Sequence, residues 1–185
     1  DQLQIALKMS IAVMQYNSTP WLGEEWGLRN ISFFGTCDEP FDDQGAVKTL
    51  HLSAKSSQKS LGGLPTPTIN PEPPDAVRLP SDLHEFKSAS GIRNMTMASL
   101  GLALLEIGYR EPLRSHRKPF ELHDVVTARR LAEGRPTPLG RRFQKLAQKC
   151  FQYDDYLDKA EFQEVVYQDV ICELEGLIQA LSVNP

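Results

Sequence analysis

Met95-Thr96-Met97-Ala98-Ser99-Leu100-Gly101-Leu102-Ala103-Leu104-Leu105-Glu106-Ile107-Gly108 is apolar on every side of a helical wheel, broken only by Thr96, Ser99, Gly101 and the late Glu106. A helix apolar all round is buried in a larger core or spans a membrane. This one is too short to span, since a crossing needs about 20 apolar residues. It is therefore predicted to be a central helix around which others pack. Gly101 in its middle costs up to about 1 kcal/mol relative to Ala, so a close packing contact is expected there. Gly108 is expected to stop the helix.

The rest of the chain supplies the surrounding helices. Residues 2–16 place Ile5, Met9, Ala12, Val13 and Tyr16 at the spacing of one helix face, and Asn17-Ser18-Thr19-Pro20 ends that run. After the central helix, a short helix is expected from His123 to Glu133, ending at Gly134. The next should be capped by Thr137 with Pro138 in its first turn and carry Phe143, Leu146, Ala147, Cys150 and Phe151 inward. The last should start at Asp158, with Glu161 three residues on completing a capping box. Its apolar set is Phe162, Val165, Val166, Val170, Leu174, Leu177, Ile178 and Leu181. Two short strands, Asn30 to Phe34 and Val47 to Leu52, are expected to pair as a hairpin. Residues 55–80 hold six prolines among Ser, Gly, Thr and Lys and are expected to form a flexible loop. The fold class is mainly α, with a central buried helix and a small two-stranded β-hairpin, in one domain over residues 1–185.

Composition narrows the function classes. The 185 residues are 41% apolar and 24% charged, with net charge −4, a pI of about 5.6 and a mean hydropathy of −0.35. A mildly acidic chain carries no electrostatic footprint for nucleic acid, and no apolar run is long enough for a membrane span. Cys37, Cys150 and Cys172 are few, odd in number and far apart, which suits a reducing, cytoplasmic setting and inert thiols. His116 and His123 lie seven apart, with no carboxylate at zinc-site spacing. A start at Asp1, without Met and directly in helical periodicity, points to a piece of a longer chain.

The element order (amphipathic helix, loop with two short strands, long variable loop, buried helix, three more helices) resembles the C-terminal lobe of a protein kinase. Ala98 to Gly108 is similar to the kinase central-helix stretch W-S-L-G-x-x-L-x-E-x-x-x-G. Leu146 to Asp154 is similar to the segment near the end of that lobe. Ser18-Thr19-Pro20-Trp21-Leu22, Trp26 and Asn30-Ile31-Ser32-Phe33-Phe34 resemble a fungal family of uncharacterised kinase-like domains, whose members often follow helical signalling domains.

The resemblance implies a degenerate site. The H-R-D triplet maps to Gly23, Glu24 and Glu25, and the metal-binding Asn to Asn30. The D-F-G Asp maps to His51, which cannot replace a carboxylate as a hard oxygen ligand for magnesium. The Asp of the central helix maps to Thr96, and a late Arg maps near Asp158. Phosphoryl transfer is almost entirely positioning and charge neutralisation, so these losses imply a non-catalytic interaction or regulatory module without cofactor or metal. Its expected partners are proteins or an N-terminal lobe of the same chain. The plain reading of Glu25, Asn30 and His51 is loop carboxylate, turn residue and strand-end side chain. Trp21, Trp26, Phe33 and Phe34 read first as packing, and as a domain interface if exposed. Arg110, Arg114, Arg117 and Lys118 read as a solvated basic face that an acidic partner could meet. Two alternatives stay open: an atypical phosphotransferase using Glu25 and Asn30 with a carboxylate from Asp38, Asp42 or Asp43, and an unrelated all-helical adaptor whose kinase resemblance is accidental, which a surface position of Met95 to Ile107 would favour.

Overall fold

A computed structural model describes residues 2–19, 22, 26–28, 31–32, 51–52, 91–153 and 157–182. These form helices α1 (Gln2–Tyr16), α2 (Met95–Tyr109), α3 (Asp124–Glu133), α4 (Arg141–Lys149), α5 (Lys159–Val166) and α6 (Cys172–Ser182). A single 3₁₀ turn, Leu113–His116, lies between α2 and α3, and a π-helical segment, Tyr167–Ile171, joins α5 to α6. Ile31–Ser32 and His51–Leu52 pair antiparallel, with Ile31 opposite Leu52 and Ser32 opposite His51. The remainder of the two expected strands, the segment between them and the Pro-rich stretch 55–80 lie outside the described residues. The chain is mainly helical.

The expectation for the opening stretch holds. Met95, Met97, Ala98, Ser99, Leu100, Gly101, Ala103, Leu104, Leu105, Ile107 and Gly108 are all buried. Helices α1, α3 and α4 pack around α2, and α1 also rests on the α5–α6 rod. Each fully buried Leu on such a helix contributes about 1.5–3 kcal/mol. Asn94 begins α2, accepting a hydrogen bond at its side-chain oxygen from the Met97 amide at 3.0 Å.

Gly101 is where α4 comes closest. A Cβ there would lie 2.9 Å from Phe151 Cζ, 3.0 Å from the Ala147 carbonyl oxygen and 3.0 Å from Cys150 Cβ. Gly108 does not stop the helix. It is buried inside the last turn, where a Cβ would meet Phe143 Cε1 at 2.9 Å and Thr137 Cγ2 at 3.1 Å. The stop is Arg110, in the left-handed region at φ 60°, whose amide donates back to the Ile107 carbonyl at 3.3 Å.

Other boundaries shift for local reasons. Thr137 does not cap α4. It closes a turn with Gly140, whose amide donates to the Thr137 carbonyl at 2.8 Å, and α4 begins at Arg141 after Gly140 at φ 91°. On α1 the buried face is Leu3, Ala6, Met9, Ser10 and Val13, while Tyr16 is exposed. Ser10 is accommodated there because its hydroxyl donates to the Ala6 carbonyl at 2.8 Å. Asp158 and Glu161 make the expected capping box, with bonds of 2.8 and 2.9 Å. Beyond it the π segment rotates the rod, so Ile171 is buried beside Val170 and Leu181 is 65% exposed.

Candidate functional site

Two polar clusters interrupt this apolar body. The first organises the corner between α2 and α3. Arg110 turns the chain out of α2, and Glu106 reaches forward to accept the Leu113 amide at 3.0 Å. The 3₁₀ turn Leu113–His116 follows, with only Leu113 buried. Residues 117–123 then cross to α3, and Glu121 faces inward, 3% exposed.

The Glu121 carboxylate is fully engaged. Arg130 donates to both oxygens, through Nε to Oε1 and through Nη2 to Oε2 at 3.0 Å. Thr127 Oγ1 donates to Oε2 at 2.8 Å, as does the Lys118 amide at 2.9 Å. Arg130 Nη2 also donates to the His116 carbonyl at 2.8 Å. A buried carboxylate is tolerated only when paired and hydrogen-bonded in this way. The Arg130 hydrogen bond outweighs the cost of burial and holds Glu121 down at about 2. The same partner, against the pull of burial, raises Arg130 above its ordinary value. The cluster stays charged at any physiological pH and acts as a rivet rather than an acid–base pair.

The rivet fixes what the loop shows to solvent. Phe120 and Leu122 flank the inward-facing Glu121 and are 74% and 72% exposed. Val126, in the first turn of α3, is 43% exposed. Lys118 Nζ sits 5.8 Å from the centre of the Phe120 ring. Arg114 and Arg117 are both exposed; Arg117 pairs with Asp124. Glu111 is engaged by its own turn, accepting from Ser115 Oγ at 3.1 Å and lying 3.3 Å from His116 Nε2.

The second cluster is set by the π segment. Asp169 receives the Tyr153 hydroxyl proton in a hydrogen bond and pairs with Lys149 Nζ at 2.8 Å. Burial works against the charged carboxylate, but the bonds from Lys149 and Tyr153 prevail and lower its pKa. Burial, and then Asp169, push the Tyr153 hydroxyl upward. Next to it, burial pushes the Cys150 thiol up to about 12, which makes it inert as a nucleophile.

Of the sequence-predicted site residues, Glu25, Asn30, Trp21, Phe33 and Phe34 lie outside the described residues. The backbone of His51 pairs with Ser32. Trp26 is 5% exposed and belongs to the core, which is the packing reading rather than an exposed interface; among the described residues its Nε1 has no hydrogen-bond partner. Among the described residues, no group of three His, Cys, Asp or Glu side chains gathers at metal-binding distance. No described helix is long and apolar enough to cross a membrane.

Residues 1–180 match the family described as a domain of unknown function, DUF7580. The chain belongs to this family. No curated protein and no solved structure matches it. The family's span runs from α1 into α6, so the buried α2, the Glu121–Arg130 corner and the π segment all belong to the DUF7580 domain itself. Arg114 and Arg117 stand out in the sequence only as basic residues, and nothing there singles out Glu121, Phe120 or Leu122. An exposed Phe-x-Leu pair around an acidic residue looks like ordinary alternation until the carboxylate's partner, nine positions on, is known.

Proposed function

We propose that this DUF7580 domain is a non-catalytic interaction and regulatory module of intracellular signalling, built on the arrangement of a kinase C-lobe and similar to kinase-like domains of fungi. The reading rests chiefly on His51. The resemblance puts it where phosphoryl transfer needs a carboxylate for magnesium, and imidazole is a poor ligand for that hard ion. Without the ion, the charge developing on the transferred group has nothing to neutralise it. The all-round burial of α2 supports the kinase-like arrangement over a helical adaptor carrying that stretch on its surface. The Glu121–Arg130 and Asp169–Lys149 clusters support a structural role for the charged groups of the helical body, since each is paired within the domain.

The test is a titration of Mg-ATP against the protein in its natural full length, reading thermal shift and phosphate transfer to protein substrates. The expected outcome is no magnesium-dependent transfer. Transfer that requires magnesium and is abolished by Glu25→Ala would overturn the reading and favour an atypical phosphotransferase drawing a carboxylate from Asp38, Asp42 or Asp43.

A further inference from the structure

The α2–α3 corner combines three features. It presents large apolar side chains, Phe120 and Leu122 at 74% and 72% exposure, with Val126 exposed in the first turn of α3. It holds them rigidly, because Glu121 between them is anchored by four donor groups: Arg130 Nε and Nη2, Thr127 Oγ1 and the Lys118 amide. Lys118 Nζ stands 5.8 Å from the centre of the Phe120 ring, and Arg110 and Arg114 lie earlier in the same corner, at the end of α2 and in the 3₁₀ turn. Arg110, Arg114 and Lys118 are exposed and, among the described residues, no carboxylate is paired with any of them. Of the acidic residues nearby, Asp124 is paired with Arg117, while Glu111 accepts from Ser115 Oγ and stays an exposed carboxylate.

We infer that this corner docks an acidic protein segment that carries bulky apolar side chains, the apolar groups seating on Phe120, Leu122 and Val126 and the carboxylates meeting Arg110, Arg114 and Lys118. Charge complementarity selects this occupant. A two-fold contact with a second copy would set the same cations against themselves. An anionic bilayer would meet the exposed Glu111 and Asp124 along with the cations, whereas a peptide can thread its charges past them. Rigid presentation lowers the ordering cost of association, as pre-organised binding surfaces do. The inference rests on the interaction-module reading for its place in signalling, but it stands on this surface and does not depend on the kinase resemblance.

The probe is a displayed library of random 12-residue peptides, selected on the full chain and counter-selected on the Phe120→Ser/Leu122→Ser variant. Recovered peptides are then measured by fluorescence anisotropy against wild type, that variant and Arg114→Glu/Lys118→Glu. The expected peptides are rich in Asp and Glu with interspersed Leu, Phe or Trp. They should bind each variant at least tenfold more weakly and lose several-fold in affinity between 50 and 300 mM salt, with reference to about 10 Å screening at 0.1 M. Both variants should keep the wild-type melting temperature, because the changed side chains are exposed, so lost binding cannot be put down to unfolding. Recovery of neutral or basic peptides, or of none that distinguish wild type from the variants, overturns the inference. Sedimentation with phosphatidylserine vesicles that depends on Phe120 and Leu122 also overturns it, in favour of a lipid surface. Concentration-dependent dimerisation lost in the same variants overturns it in favour of self-association. None of these outcomes bears on Mg-ATP binding or phosphate transfer, so the two readings fail separately.

Discussion

Helix α2 and the corner that follows it are neighbours in sequence, yet they are held by opposite physics. Along α2, apolar side chains fill all sides and a glycine lets α4 come into contact. In the corner, a buried ion pair with its hydrogen bonds holds the loop and apolar side chains face outward. The first arrangement gives stability and leaves nothing for a partner to recognise. The second spends burial on a charged group, which is weak evidence for stability but fixes a loop in one pose. A binding surface is expected in the region organised for position.

The contrast can be broken most forcefully at Gly101. Gly101→Val should destabilise the domain by about 3 kcal/mol, since the new side chain meets the Ala147 carbonyl and Cys150 with no room to shift. Urea denaturation measures it, and an unchanged midpoint would show that α2 and α4 are not in contact there. Arg130→Met comes next. It leaves Glu121 buried without its main partner, so the melting temperature should fall by roughly 5–10 °C and peptide capture should go with it. Adding Glu121→Met should restore much of the melting temperature, because an apolar pair needs no compensation, but not the capture. Recovery of both would mean the loop's pose is set by packing alone.

Acid should act on the corner before the core. The folded Glu121 carboxyl lies at about 2, below its ordinary 4.5. A depressed carboxylate stabilises the fold fully above the unfolded value and loses that contribution as pH falls through the folded one. The stability difference between wild type and Glu121→Gln should therefore be constant above about pH 5 and shrink between 4.5 and 2. A difference independent of pH over that range would show that the carboxylate is not held by Arg130. The smallest effect separates two helical glycines. Among the described residues, Gly176 in α6 has only Arg142 Nη2 near its would-be Cβ, at 3.8 Å. Gly176→Ala should therefore stabilise by about 0.5–1 kcal/mol through helix propensity. Destabilisation there would mean that α6 is more tightly enclosed than it is drawn.

Much of the helical body was legible in the chain. The apolar run from Met95, the need for a close contact at Gly101, the Asp158–Glu161 box and the approximate extents of α1 and α3 all follow from residues within a few positions of one another. Boundaries failed where a non-local contact overrode a local sign. Gly108 looks like a stop but serves as a packing gap for Phe143, and Arg110 takes the strained left-handed turn instead. Thr137 looks like a cap but closes a turn onto Gly140. The α5–α6 face was read with one helical period, which the π segment breaks.

The sequence alone determined that this chain has a central buried helix, because an all-round apolar run too short for a membrane has no other stable place. Tertiary structure alone decided which charges are rivets and which are free to meet a partner. Glu121 and Lys118 sit in the same short loop and are equally polar as residues. One is buried because Arg130 and Thr127 arrive from α3 to satisfy it, and the other is left exposed because no described carboxylate does the same. Hydrogen-bond partners brought together by folding, rather than residue type, set that difference.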